Sequence, residues 1–326
     1  MNFEYYSSLC LVTAVVVYVL AMFAHAAEWA AARRADDTQT VDEQALVSVG
    51  AGASAELIER PAELVDGPRS PTETTGRQRV EQFGRIGVAL TVIGFLLSVG
   101  GVVLRGLAAG RAPWGNMFEF TITAMVLVVG VYLVMVWRSG LRWLGLPVTL
   151  LAAVGNGLAI TVFYVAVAPL VPALHSVWFI IHIVAAATSG AAFNLGALMS
   201  ILYLVKKRAE DRGAVKGYLG WLPTSRRIDE LAYRFHAFAF PLWTFTVAAG
   251  AIWAEYAWGR YWGWDPKETW ALVTWVIYAC YLHARSTAGW RGRRAAVIAI
   301  IGVASFWFNF IGINLLVSGL HSYAGI

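Results

Sequence analysis

Residues 258–272 read WGRYWGWDPKETWAL and set Trp258, Trp262, Trp264 and Trp270 beside Arg260, Tyr261, Asp265, Lys267 and Glu268, between two apolar segments. Part of this has a simple structural meaning. Asp265, Pro266 and Glu268 have the form of a helix start, with Asp at the N-cap, Pro at the first helical position and Glu at the third. Tryptophan is also expected near a membrane interface, because indole is apolar with one polar N–H. The density asks for more than an interface belt. Trp253, Trp258, Trp262, Trp264, Trp270 and Trp275 are six of the chain's 15 tryptophans. Glycines 259 and 263 let Trp258, Trp262 and Trp264 fold closely, which suits a flat aromatic platform. Arg260 and Lys267 add positive charge. These residue types together suit a large, flat, apolar ligand with acidic edges.

The histidines supply the second half of such a site. There are six: His25, His175, His182, His236, His283 and His321. A lone histidine in an apolar helix is usually packing, yet an ionisable side chain inside a membrane is a functional hypothesis by default. Depth separates them. His182, in HSVWFIIHIV, lies near the outer end of one span, and His321, in SGLHSY, lies just past the outer end of another. Both are level with the tryptophan stretch. Two imidazoles at one depth on different helices can ligate one haem iron from opposite faces, and haem with its two propionates is a flat ligand with acidic edges. His175 is a weaker partner for the same task. His283 lies about 17 residues beyond Pro266, roughly 25 Å deeper at about 1.5 Å per residue. It belongs to an inner level, where His25, His236 or a histidine from another chain could pair with it; the residues alone leave that choice open.

The elements that must carry these side chains follow from composition. With 59% hydrophobic and 14% charged residues and a mean hydropathy of +0.61, the chain does not suit a soluble core. Crossing the roughly 30 Å hydrocarbon layer takes about 20 apolar residues as a helix. Such runs recur over 5–27, 84–106, 117–137, 144–167, 178–205, 235–255, 266–285 and 295–317. The sequence thus predicts an all-α fold, a polytopic membrane helical bundle of about eight transmembrane helices with both termini outside. That orientation leaves all but four of the 25 Lys and Arg residues in or beside the inner loops, the exceptions being Arg105, Arg111, Arg260 and Lys267. The net charge of +5 therefore records topology, and no nucleic-acid partner is expected.

Three units follow. Residues 1–27 form a first transmembrane helix; Glu4 before the apolar run and Arg33 and Arg34 after it are the reverse of a cleavable signal, so it is expected to be retained. Residues 28–83, with RRADDTQTVDEQ and ELVDGPRSPTETTGRQR, read as a cytoplasmic, largely disordered linker. Residues 84–326 form the haem-handling transmembrane domain, with its external loop at about 256–268. Cys10 and Cys280 make neither a CxxC pair nor a CxxCH attachment site, so the chain reads as one that hands haem on.

The same residues resemble the haem-handling membrane proteins with a tryptophan-rich WWD motif, and within them the CcsA/ResC family (called CcsB in some bacteria) of the System II cytochrome c synthase. WGRYWGWDPKETWAL with YLHAR at 281–285 is similar to that family's form of the motif. PALHSVWFIIH at 172–182 and INLLVSGLHSY at 313–323 resemble the segments carrying its two external histidines, and WGNMFEF resembles its Asn and Glu motif, here Asn116 and Glu119. The resemblance implies haem b as both bound ligand and substrate. His182 and His321 would be axial ligands of an external haem, and His283 one ligand of an inner haem whose other ligand lies on the partner. Trp258, Arg260, Tyr261, Trp262, Trp264, Asp265 and Trp270 would hold the external ring. It also implies a ResB/CcsB-type membrane subunit, apocytochrome c and a thioredoxin-like thiol reductant as partners, beside membrane lipid. The location implied is a bacterial plasma membrane, with the tryptophan loop on the extracytoplasmic side. On this reading the chain is a component of a synthase with no acid or base catalyst of its own. Two other classes use similar residues: a b-type cytochrome that keeps its haem and moves electrons, and a haem-free small-molecule transporter.

Overall fold

The computed structural model describes the backbone of residues 2–50 and 71–321, with side chains there except at 36–50 and 71–75. Among the described residues every regular element is a helix. In chain order they form α1 (Phe3–Gly50), α2 (Pro71–Ala109), α3 (Met117–Ser139), α4 (Gly145–Thr161), α5 (Val177–Asp211), the short α6 (Tyr218–Trp221), α7 (Ser225–Trp258), α8 (Pro266–Ser286) and α9 (Arg293–Trp307). A π-helical stretch, Phe308–Gly312, and a last α-turn, Ile313–Leu316, extend α9.

Among the described residues, seven helices are long and apolar enough to cross a membrane. The chain is a multi-pass helical membrane protein, as its composition predicts. The eighth expected span corresponds to helix α8, 21 residues and so roughly 31 Å long. It is absent from the apolar set because its first turn holds Lys267 and Glu268 and its last turn His283 and Arg285. Exposed apolar side chains confirm what the bundle faces. Leu9, Val12, Val16, Leu20 and Phe23 line one exposed stripe of α1, an area too large and continuous to leave in water.

Two helices run further into 28–83 than the composition suggests. α1 continues through residue 50 and α2 begins at Pro71. Near the two ends of that stretch lies a buried polar cluster that low hydropathy hides: Glu28, 2% exposed, accepts from Arg142 Nε at 3.0 Å and lies 3.1 Å from His25 Nδ1, while Arg142 also pairs with Glu81 at 3.0 Å. Those bonds tie α1 and α2 to the turn before α4. The middle of the expected linker, 51–70, lies outside the described residues.

α5 is the central helix, with 67% of its most apolar window buried. Its small residues let neighbours approach closely, as in membrane helix packing generally. A Cβ at Gly190 would come within 2.7 Å of the Phe306 ring on α9, and one at Gly196 within 2.7 Å of His236 on α7. α5 packs along α7 and α8 along α9, while α1 pairs with α2 and α4. The helices that matter for the site, α5, α7, α8 and α9, therefore share one half of the bundle.

Candidate functional site

At the tryptophan-loop end, α5, α7, α8 and the tail of α9 enclose a cavity of about 1140 Å³, its open mouth included. Its walls are mostly aromatic and aliphatic, with Trp114, Phe179, Trp243, Trp253 and Trp262 among them, and both His182 and His321 line it.

Each histidine is oriented by a bond at the same ring atom. Ser176 caps α5 by accepting from the Trp178 amide at 3.2 Å, which starts the helix so that His182 faces α7. There His182 Nδ1 lies 2.9 Å from the Thr246 carbonyl oxygen, so Nδ1–H donates. Gly250, one turn on, leaves room for the ring: a Cβ there would lie 2.8 Å from Nδ1. His321 arrives from the tail beyond α9, and its Nδ1 lies 2.9 Å from Asp265 Oδ1. Asp265 Oδ2 accepts the Leu320 amide at 2.7 Å. The tail can come this close because residue 319 is glycine; a Cβ there would meet Asp265 Oδ2 at 2.6 Å. Trp253 marks the meeting point. Its ring stacks on His182 at 5.7 Å and 21°, and His321 meets it edge-on, also at 5.7 Å. Its own Nε1–H is anchored on the Ala173 carbonyl at 2.8 Å.

The charges at Asp265 and His321 follow from this geometry. Burial works to raise the Asp265 pKa, but bonds from His321 and from the Leu320 and Lys267 amides outweigh it and hold the carboxyl at about 2. Burial pushes His321 below the usual imidazole range, with Lys267 nearby acting in the same direction and Asp265 opposing. A neutral imidazole gives Asp265 a hydrogen bond rather than a full charge. It is also the protonation state a metal ligand needs. A histidine donating one ring N–H to a carboxylate or a backbone carbonyl, with the other nitrogen turned to a metal, is the common arrangement of ligating histidines.

The loop itself differs from a flat platform. Trp258 is the last residue of α7; it packs on Trp253 and on His321 at 4.8 Å, behind the cavity wall. Gly259 and Trp264 both take positive φ, 70° and 57°, and turn the chain so that Trp262 and Trp264 stand at 88° to one another. Tyr261 and Trp262 line the cavity, while Trp264 is 68% exposed. Trp270 packs instead on Phe308, at 4.3 Å. Arg260 is exposed, and its guanidinium lies over Gly263. Asp265 stands behind the wall, holding His321, and completes the capping box of α8 with Glu268.

The other wall is held by the Asn116 and Glu119 segment. Asn116 caps α3 by accepting from the Glu119 amide at 2.9 Å and lines the cavity with Trp114 and Gly115. Glu119 is fully buried, between Arg105 at 3.0 Å and Arg111 at 2.6 Å. Arg105 reaches on to Glu4 and to the Val165 carbonyl. Two of the four cations that break the inner-loop bias thus form one structural cluster.

The remaining histidines lie apart from the cavity. His283 is exposed near the opposite end of α8. His25 is buried against Glu28, and His236 is buried among Phe193, Tyr278 and Tyr281. His175 is exposed beside the short turn Pro172–Leu174. Sequence reasoning missed Trp114, Trp243, Asn309 and Asn314 as cavity residues. Asn309 and Asn314 carried a signal, two carboxamides in an otherwise apolar span.

Comparison with known proteins identifies the family. The family described as "Cytochrome C assembly protein" matches residues 95–321. The chain is 35% identical to the cytochrome c biogenesis protein CcsA of Mesostigma viride over 271 residues, covering 75% of this chain and 87% of that one. It is 32% identical to CcsA of Gloeobacter violaceus, covering 76% and 88% respectively. Among solved structures, the cytochrome c heme lyase CcmF shares the fold with a TM-score of 0.60 at 13% identity; the likeness covers 99% of this chain and about half, 53%, of that one. The chain belongs to the cytochrome c assembly protein family and, within it, to the CcsA/ResC group of cytochrome c biogenesis proteins.

Proposed function

We propose that the protein holds haem in the loop-end cavity between His182 and His321 and, with a ResB/CcsB-type membrane subunit, presents it to the CxxCH segment of a secreted apocytochrome c. The observation that carries this is the convergence of those two imidazoles on one aromatic cavity, each with Nδ1 occupied, on the Thr246 carbonyl and on Asp265. That donor set suits iron with an imidazole on either face. The aromatic and aliphatic walls suit a flat, apolar ring.

When bound, haem supplies vinyl groups to which the cysteine thiols add. The chain supplies position. Trp253 braces both imidazoles, Tyr261 and Trp262 close the cavity on the loop side, and Asp265 keeps the His321 tautomer that presents Nε2. The Lys and Arg distribution supports the reading that this cavity faces the extracytoplasmic side of the plasma membrane. His283, exposed roughly 25 Å down α8, is where an inner haem would take its second ligand from the partner subunit. A thioredoxin-like reductant would keep the acceptor thiols reduced.

The test is expression with the partner subunit in a host without its own cytochrome c maturation, scoring covalent haem on a reporter cytochrome. Covalent haem is expected, and its absence despite stable membrane protein would sink the proposal. A finer prediction concerns Gly250→Ala. The added methyl must displace the His182 ring and break its bond to Thr246. Haem affinity is expected to fall about 10- to 100-fold, the usual cost of losing an orienting partner, with folding retained. Unchanged affinity in a spectrophotometric titration would argue against that orientation.

A further inference from the structure

α9 does not end as an ordinary helix. Five residues, Phe308–Gly312, are π-helical, a local widening that is frequent at functional sites. The widening and the turn after it bring Asn309, Phe310 and Asn314 to the cavity wall, opposite the first turn of α8, which contributes Lys267 and Glu268. An otherwise apolar cavity thus has one polar corner.

Lys267 is its only cation. The ammonium donates to Asn314 Oδ1 at 2.8 Å and lies 5.8 Å from the centre of the Phe310 ring. Asn314 is itself fixed, since its amide donates to the Phe310 carbonyl at 2.6 Å. The two neighbouring acids are engaged elsewhere: Asp265 with His321 and with the Leu320 and Lys267 amides, and Glu268, through Oε2, with the Gly263 and Asp265 amides. Among the described residues, then, Lys267 has a neutral hydrogen-bond partner and no carboxylate in ion-pair contact. An ammonium has three donors, and a charge in an apolar cavity is costly until it meets a counter-charge. Two further groups wait at the same corner. Asn309, 6% exposed, has Oδ1 buried without a partner, and so has Glu268 at Oε1. A carboxamide offers either its oxygen or its NH₂ to a ligand by turning over.

We infer that this corner, Lys267 with Asn314 and Asn309, is a carboxylate-binding subsite that takes one propionate of the porphyrin. The inference rests on the haem reading above and extends it from the iron to the ring's edge. Glu268 sets the limit at one carboxylate, because its own acid stands on the same wall. The second propionate is left to the loop mouth, where Arg260 is exposed. The subsite fixes which edge of the ring enters the cavity, and so which edge, with its vinyl groups, faces the opening. It also exchanges the roles of the two loop cations: Lys267, half-buried on the cavity wall at the start of α8, binds, and Arg260 stands outside.

The test uses the full-length chain in lipid nanodiscs, titrated with haemin and with haemin dimethyl ester, which differs only in lacking the two carboxylates. The wild type is expected to bind haemin about 10- to 100-fold more tightly than the ester, the size of one desolvated charge-assisted contact. Lys267→Met is expected to remove that preference by weakening haemin alone, with ester binding and the bis-histidine spectrum kept. Lys267→Arg is expected to retain the preference, and Asn314→Leu to reduce it, which guards against one variant failing to fold. Equal affinity of the wild type for the two porphyrins, or equal loss of both in Lys267→Met, would overturn the subsite and leave the haem reading intact. Binding of neither porphyrin by the wild type would overturn the haem reading, and the subsite with it.

Discussion

His321→Ala is expected to abolish the low-spin, bis-histidine absorption of haem bound at the loop-end cavity and to lower haem affinity by at least about 100-fold, above the loss that follows removal of an orienting partner. His182→Ala should do the same, because neither imidazole has a substitute in the cavity; His175 is exposed and apart from it. Added imidazole should restore part of the spectrum in both variants, since it can enter the space each ring vacates. His283→Ala should leave this spectrum unchanged and deplete haem only at the inner level. Equal loss in all three variants, with folded protein, would argue for one site rather than two. Asp265→Asn is the sharpest companion. Asn is as good an N-cap as Asp, so the start of α8 should hold. What changes is the partner of His321: a carboxylate held at a pKa of about 2, hence charged at any working pH, becomes a neutral amide. Affinity should fall about 10- to 100-fold with an unchanged unfolding temperature. A lowered unfolding temperature with unchanged affinity would mean that Asp265 is only a cap.

Glu119→Ala is expected to be the most destabilising single substitution at this end of the bundle, by about 3–5 kcal/mol, because it strips the shared acid from two guanidinium groups. Arg105, 1% exposed, would keep Glu4 and the Val165 carbonyl but lose its bond to Glu119. Arg111 would lose its 2.6 Å contact to Glu119. Glu119 also accepts from the Gly115 amide at 2.8 Å, so the Trp114–Asn116 wall of the cavity should loosen as well. Thermal unfolding in detergent, read with haem affinity on the same samples, checks both consequences. A loss under about 0.5 kcal/mol, the range of an ordinary surface substitution, would remove this cluster from the account.

The Asn116 and Glu119 motif shows how far local pattern reaches. Its spacing makes Asn116 a cap whatever surrounds it, and α3 starts there. That Glu119 then faces Arg105 and Arg111 depends on how α3 is turned against α2, which spacing along one helix does not encode. The tryptophans repeat the lesson. Their number and proximity point to an aromatic site, yet Trp258 and Trp270 pack behind the wall while Trp114 and Trp243, from outside that cluster, join Trp253 and Trp262 in forming it. Within 28–83, composition hides contacts made at a distance: Glu28 and Glu81, from the two ends of that stretch, both pair with Arg142.

Hydropathy, helix-start chemistry and the distribution of Lys and Arg are local properties, and from them the sequence alone determined the multi-pass helical bundle, the capping box at Asp265 and two levels of histidine. Tertiary structure decided what depends on contacts between segments far apart in the chain. It brought His182 and His321 to one cavity and gave Asp265 a second task beyond its cap. It also chose Lys267 over Arg260 as the cation inside, because which way a side chain points is set by the rotation of its helix against its neighbours.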